Sequence, residues 1–269
     1  MKIIDAHIHL NSDPYFSAIA RAAGHENSPE HLRQVYAQLD IRHAVVMGNR
    51  DLDLARHQYP PFASYCVGLD GSYFQGEHLQ RSVELVRRHL ARKSCVGIKL
   101  YPGYMPYYVS DPAYSPFIEL AREFGKPVAV HTGQTATGSA WLKYSHPLTL
   151  DDVATAYPDV QFVMCHLGNP WLVDAAAVLS KNKNVAADLS GLLEGMVDVP
   201  ALLQKSSGYL EHIKTWLGYI GDYERILYGT DWPLTNIPAY IAFVAHLIPE
   251  QHHDKVFFEN ANRIYKLGL

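Results

Sequence analysis

Four histidines and one aspartate stand out because each falls at the end of a short apolar run. His7 and His9 end the run Ile3–Ile8, His131 ends 128–131, His166 ends 160–166, and Asp231 follows 225–228. Side chains two apart on a strand share a face, so the imidazoles of His7 and His9 can meet one ion. Neutral imidazoles with one carboxylate suit Zn²⁺ first, and also Mn²⁺, Fe²⁺ or Co²⁺. Such an ion lowers the pKa of bound water towards about 7 and polarises a carbonyl oxygen. Asp231 beside it could accept the water's proton. His166, not needed as a further ligand, could hydrogen-bond that water or the developing oxyanion. A lone His-X-His is often only a polar pair on a strand. Five such residues at strand ends of one fold make a much rarer coincidence. The chain has 15 histidines. The others, such as His31, His89, His212, His252 and His253, fall mostly on helices or loops and read as solvated or structural.

Residues so far apart in sequence meet only if their strands share one mouth. Eight apolar runs recur: Ile3–Ile8, 43–47, 64–69, Cys95–Leu100, 128–131, 160–166, 184–189 and 225–228. They are rich in Val, Ile and Tyr, as buried parallel strands are. Helical patterns separate them. Over 77–93, Leu79, Val83, Val86 and Leu90 form one stripe. Ser28-Pro29-Glu30 reads as a cap followed by Pro in the first turn, and Ser115-Pro116 repeats that signal. Gly125 and Pro127 stop the second of these helices. Asn169-Pro170 opens another helix, and 192–216 reads as two short helices and a loop. Strand–helix alternation over 269 residues gives about 34 per unit, the size of a βα repeat. We expect a single (β/α)₈ TIM barrel, one domain over 1–269, with its chemistry at the carboxyl ends of the strands. A doubly wound open sheet is the alternative, but Asp5-Ala6-His7-Ile8-His9 is no Gly-rich phosphate loop.

Composition narrows the function classes. Hydrophobic residues make up 48% and charged residues 19%, which is enough apolar material for a core. The net charge of −4 and the lack of any Lys/Arg run argue against nucleic acid and membrane partners. No apolar stretch is long enough to span a bilayer, and no secretory signal is visible. Three cysteines, Cys66, Cys95 and Cys165, sit inside apolar runs, so we expect reduced thiols and a cytoplasmic protein. Neither a carboxylate pair of the glycosidase kind nor a Gly-X-Ser-X-Gly elbow is visible.

Asp5-Ala6-His7-Ile8-His9, Gly97-Ile98-Lys99-Leu100-Tyr101-Pro102, Val130-His131-Thr132-Gly133, Cys165-His166-Leu167-Gly168 and Gly229-Thr230-Asp231-Trp232-Pro233 together resemble the amidohydrolase superfamily. The ending Glu259-Asn260-Ala261-Asn262-Arg263-Ile264-Tyr265 is similar to that of its amidohydrolase-related (amidohydrolase 2) branch of metal-dependent hydrolases and decarboxylases. The resemblance implies a mononuclear divalent site with His7, His9, His131 and Asp231 as ligands and His166 as a catalytic group beside it. Lys99 stands where binuclear relatives carry a carboxylated lysine that bridges two metals. Left as an ammonium it would hold a substrate carboxylate; a purely structural role is the third option. One ion is expected, two if Lys99 is carboxylated.

The loops after strands four and five carry Tyr101, Tyr104, Tyr107, Tyr108, Tyr114, Trp141 and Tyr144. They read either as an aromatic wall of the substrate pocket or as a self-packed cap on the barrel. We place Lys99, Tyr101, Tyr104, Asn169 and Trp171 at the substrate. Asp188 and Ser190 could hydrogen-bond a ligand or close the following helix, and Trp232 should buttress Asp231 by packing. The expected activity is attack of metal-activated water on a lactone or cyclic amide of a small carboxylate-bearing substrate. The alternatives are a non-oxidative decarboxylase of an aromatic or muconate-type acid, and a non-catalytic metal- or ligand-binding barrel. A homo-oligomer is compatible with all three.

Overall fold

The structure, a computed structural model, describes residues 1–48, 51–69 and 78–269. Eight parallel strands pair in sequence order: β1 (Ile3–Ile8), β2 (Ile41–Met47), β3 (Ala63–Gly68), β4 (Cys95–Leu100), β5 (Val128–Val130), β6 (Phe162–Met164), β7 (Val185–Asp188) and β8 (Ile226–Leu227). Three backbone bonds draw β8 and its following turn back onto β1. Ala6 N donates to Tyr228 O (3.0 Å), Asp231 N to His7 O (2.8 Å) and His9 N to Trp232 O (2.7 Å). The sheet thereby curls into a nearly closed (β/α)₈ barrel.

Helices cover its outside: α1 (Pro14–Ala22), α2 (Pro29–Gln38), α3 (His78–Leu90), α4 (Ser115–Phe124), α5 (Thr149–Ala156), α6 (Leu172–Lys181), α7 (Val199–Lys205), α8 (Ser207–Ile220) and α9 (Ile237–Leu247); the short α10 (Asn260–Ile264) lies at one end. Ser28 caps α2 as expected, its hydroxyl accepting from His31 N. Ser115 does not cap. A 3₁₀ turn at Pro112–Tyr114 runs straight into α4, so Ser115 is already helical, and Asp111 supplies the side-chain acceptor one turn earlier. Gly125, at φ 58°, ends α4 in the left-handed conformation. The expected start of α3 at Glu77 lies outside the described residues. The helix expected from Asn169-Pro170 begins only at Leu172, and 192–216 holds α7 and most of α8.

Two buried layers follow from the strand alternation. Every strand contributes to an inner cluster of Ile4, Ala6, Val45, Met47, Cys66, Val96, Ala129, Val163, Cys165, Ala186 and Leu227. Ala261, Ile264 and Tyr265 join it and plug one end of the barrel. Asn260 secures that plug by donating to Tyr223 O and Ile226 O. The outer cluster packs strand residues such as Ile3, Val46, Ile98 and Met164 against the helices. Among the described residues no helix is long and apolar enough to cross a membrane.

Candidate active site

Strand β1 does not alternate cleanly. Its pairing with β2 shifts register between Asp5 and Ile8. Ile4 and Ala6 belong to the inner cluster, whereas Ile8 packs in the outer one. A bulge of this kind changes the phase of the strand, and here it turns both His7 and His9 to the mouth. The other site residues lie beyond their strands rather than at the last paired position. His131 follows β5, and His166 sits in a 3₁₀ turn after β6. His166 (φ 63°) and Asp231 (φ 58°) both adopt left-handed backbone, sparsely populated for residues with a side chain. That conformation ends the ladder early and swings each side chain across the opening.

The side chains converge. His9 Nε2 is 3.2 Å and His7 Nε2 3.4 Å from the same oxygen, Asp231 Oδ1. His166 Nδ1 lies 3.9 Å from Asp231 Oδ2. The His166 ring packs 4.9 Å from that of His7 and 5.0 Å from that of His131. His7, His9 and Asp231 each offer a ligand atom within 4.8 Å of the others, and His131 is not in that trio. A second trio, His7, Cys165 and Asp188, is already committed, since Asp188 accepts from His7 Nδ1 at 2.9 Å.

Donor accounting tests whether a cation belongs here. Asp188 can only accept, so His7 carries its proton on Nδ1 and presents a lone pair at Nε2. That lone pair faces Asp231 Oδ1, another acceptor, with no proton between them. Three buried atoms accordingly have no partner: His7 Nε2, His131 Nε2 and Asp231 Oδ1. Buried polar atoms are rarely left this way. A divalent cation would satisfy His7 Nε2 and Asp231 Oδ1, and the donor set, with His131 nearby, suits one.

The electrostatics agree. Burial pushes His7 down to about 4, against the opposing pull of Asp188. Burial also holds His131 and His166 below the ordinary histidine range, with neighbouring positive charge adding to the effect on His131. Burial opposes ionisation of Asp231, but His7, His9 and His166 outweigh it and keep the carboxyl below its usual range. The buried imidazoles are thus neutral and the carboxylate charged, the states metal ligation requires.

The residues expected at the substrate divide. Tyr104 reaches the site, its ring 4.8 Å from that of His131. Lys99 lies inside the barrel, 1% exposed, with Nζ donating to Cys165 Sγ at 2.7 Å. Tyr101 stands beside it and donates to Gly48 O. Asn169 holds the β5 loop, its carbonyl accepting from Gln134 N, and its own Oδ1 is buried without a partner. Trp171 packs its ring on His146 at 4.8 Å. The aromatic loops pack on themselves, some rings buried and others exposed. Tyr114 is buried against Tyr107, while Trp141 and Tyr108 are exposed and flank Tyr144.

Several residues gain roles that the sequence reading left open or missed. Asp188 and Ser190 neither touch an open pocket nor close a helix; they bind His7 and His166. Gly191 (φ 63°) lets the chain pass between His166 and Asp231, where a Cβ would come within 2.9 Å of both. Asp5 is buried and accepts from Tyr36 OH, Thr230 N and Thr230 Oγ1, which ties β1 to the Asp231 turn. Burial pushes its carboxyl up to about 7 despite those donors. Trp232 is buried behind Asp231 against His25, the expected buttress. Phe16 of α1 adds an apolar neighbour 5.6 Å from His9. Its signal was the apolar pattern of α1, which the sequence reading did not pick out.

Comparison with known proteins places this arrangement. No curated protein sequence matches the chain. Several solved structures share its fold. A probable 2-pyrone-4,6-dicarboxylic acid hydrolase from Acinetobacter baumannii, with citric acid bound, is 15% identical, covers 99% of this chain and 100% of its own, and superposes with a TM-score of 0.67. An amidohydrolase from Burkholderia multivorans with bound zinc is 17% identical over 99% and 100%, at 0.66. The 2,6-dihydroxybenzoate decarboxylase from Rhizobium is 17% identical over the whole of both chains, at 0.66. A model of the amidohydrolase-2 family matches residues 4–267, nearly the full length, and the chain belongs to this amidohydrolase family of enzymes.

Proposed function

We propose that the protein is a metal-dependent hydrolase that opens a lactone or cyclic amide of a small carboxylate-bearing substrate. The observation that carries this reading is the trio of buried, unpartnered atoms, His7 Nε2, His131 Nε2 and Asp231 Oδ1, at the mouth of the barrel. His7, His9, His131 and Asp231 would hold one divalent ion, with zinc the first choice. When bound, the ion supplies Lewis acidity, which makes water a stronger acid and a carbonyl carbon a better electrophile.

The chain's own groups do the rest. Asp231 accepts the proton that the attacking water loses and returns it to the ring oxygen or nitrogen as the acyl bond breaks. His166, its Nδ1 3.9 Å from that carboxylate, holds the water in place. Tyr104 lays an apolar face beside His131, suited to a ring or unsaturated substrate. Lys99, whose Nζ donates to Cys165 Sγ inside the barrel, is the group we assign to the substrate carboxylate.

A second reading is favoured by one observation: structural neighbours include decarboxylases that superpose over the full chain. On that reading the same residues orient an aromatic acid for loss of CO₂. The two are separated by incubating metal-replete protein with a panel of lactones and hydroxybenzoates and analysing the products. Ring-opened hydroxy acids are expected. CO₂ release without hydrolysis would reject the hydrolase in favour of the lyase.

A further inference from the structure

The turn after β7 links two of the mouth histidines. Asp188 Oδ2 accepts from His7 Nδ1 at 2.9 Å. Asp188 Oδ1 accepts from Ser190 Oγ (2.5 Å), His166 N (2.9 Å) and Ser190 N (3.1 Å). Ser190 Oγ in turn lies 2.9 Å from His166 Nδ1, and the Ser190 carbonyl oxygen lies 3.1 Å from the same nitrogen.

Donor accounting allows one assignment of protons. A carboxylate accepts only, so the single hydroxyl proton of Ser190 goes to Asp188. The hydroxyl then has only lone pairs to offer His166, and the Ser190 carbonyl likewise accepts only. His166 Nδ1 must therefore be the donor. We propose that Ser190 is a positioning residue: through it, Asp188 fixes the tautomers of His7 and His166 together, with both protons on Nδ1 and both Nε2 lone pairs free for the mouth. The isolated histidine side chain prefers its proton on Nε2, so the turn imposes the opposite choice. Gly191 makes it sterically possible, because a Cβ there would meet His166 Nδ1 at 2.9 Å.

This deepens, and rests on, the reading of His166 as a group that acts on the attacking water. A neutral imidazole with its proton on Nδ1 can only accept at Nε2. It can orient water by taking a hydrogen bond from it; it cannot donate one to an oxyanion. The division of labour also follows. Of the two rings Ser190 bonds only that of His166, whereas Asp188 bonds the His7 ring directly and reaches the His166 ring through Ser190.

The test is ¹⁵N NMR of the full-length protein labelled in its imidazole rings, at pH 8, with His166→Gln identifying the resonances of His166. We expect a protonated, pyrrole-like Nδ1 and a pyridine-like Nε2 in the native protein. In Ser190→Ala the backbone carbonyl still accepts from Nδ1, so the Nδ1 resonance should shift and broaden as one of its two acceptors is lost. On a panel substrate that the native protein turns over, kcat should fall about 10- to 100-fold with KM within about twofold and the metal content unchanged. Ser190→Thr keeps the hydroxyl and should restore both. Asp188→Ala should lose metal as well, because His7 is released. A native His166 carrying its proton on Nε2, or a Ser190→Ala protein whose Nδ1 resonance and kcat are both unchanged, would overturn the proposal. The NMR measurement needs no turnover. A protein inert on the whole panel would sink the reading of the reaction, and the resonances would still decide this one.

Discussion

Two groups of buried histidines in the molecule are unlike in one respect. On the β3–α3 side, His57 and His89 lie 4.5 Å apart, with Tyr65 against both rings. Burial depresses both, His89 to about 4, much as it depresses His7. Yet all four ring nitrogens there have partners. His89 pairs with Tyr65 OH and Leu52 O, and His57 with Asp51 O and Tyr59 OH. At the mouth, His7 and His131 each leave Nε2 unpaired. Burial, ring density and depressed basicity are common to both groups, so none of them marks a functional site. Unspent hydrogen-bonding capacity, aimed at a shared centre, is what separates them.

The largest effect that could break this contrast is expected from His131→Ala against His89→Ala. The first should remove bound metal and turnover together. The second should leave metal stoichiometry and turnover per folded molecule intact. It should lower stability by about 1–3 kcal/mol, because Tyr65 OH and Leu52 O lose their partner. Metal analysis with urea unfolding checks both. A metal-free His89→Ala protein would erase the distinction.

Next in size is His166→Ala. It should keep most of the metal while turnover falls by about two to four orders of magnitude, the scale of general acid–base catalysis. If the site empties instead, His166 is a ligand and its role beside the ion is wrong.

The smallest effect is shared by satisfied histidines. His25 and His89 are each lowered to about 4 in the folded protein, against about 6.5 unfolded. The unfolded chain therefore binds more protons between those values. Their contribution to stability is full above about pH 6.5 and drains away as the pH falls towards 4. Urea midpoints measured from pH 7.5 to 4.5 should decline in that window, and His89→Ala should flatten the decline. An unchanged slope would remove His89 from the account.

Much of this protein was decided locally. Eight apolar runs, helices between them and Pro or Gly at their boundaries specify a barrel, because each run must be buried on both faces. The five residues at the ends of those runs could be read as one site once strand order closed the ring. The DxHxH-type start and the Gly-Thr-Asp-Trp-Pro segment made the family legible as well. What the linear pattern did not hold was every feature that depends on departures from regular structure. The bulge in β1 turns His7 and His9 together, and left-handed backbone at His166 and Asp231 carries them across the mouth. Trp171 follows His166 closely in sequence, yet the turn through Gly168, Asn169 and Pro170 aims its ring at His146 instead. Asp188 and Ser190 looked like any strand-end polar pair. Their partners lie 181 and 24 residues away in sequence, at His7 and His166. Periodicity records which face of an element is buried; which polar atoms meet across the mouth depends on the segments that folding sets side by side.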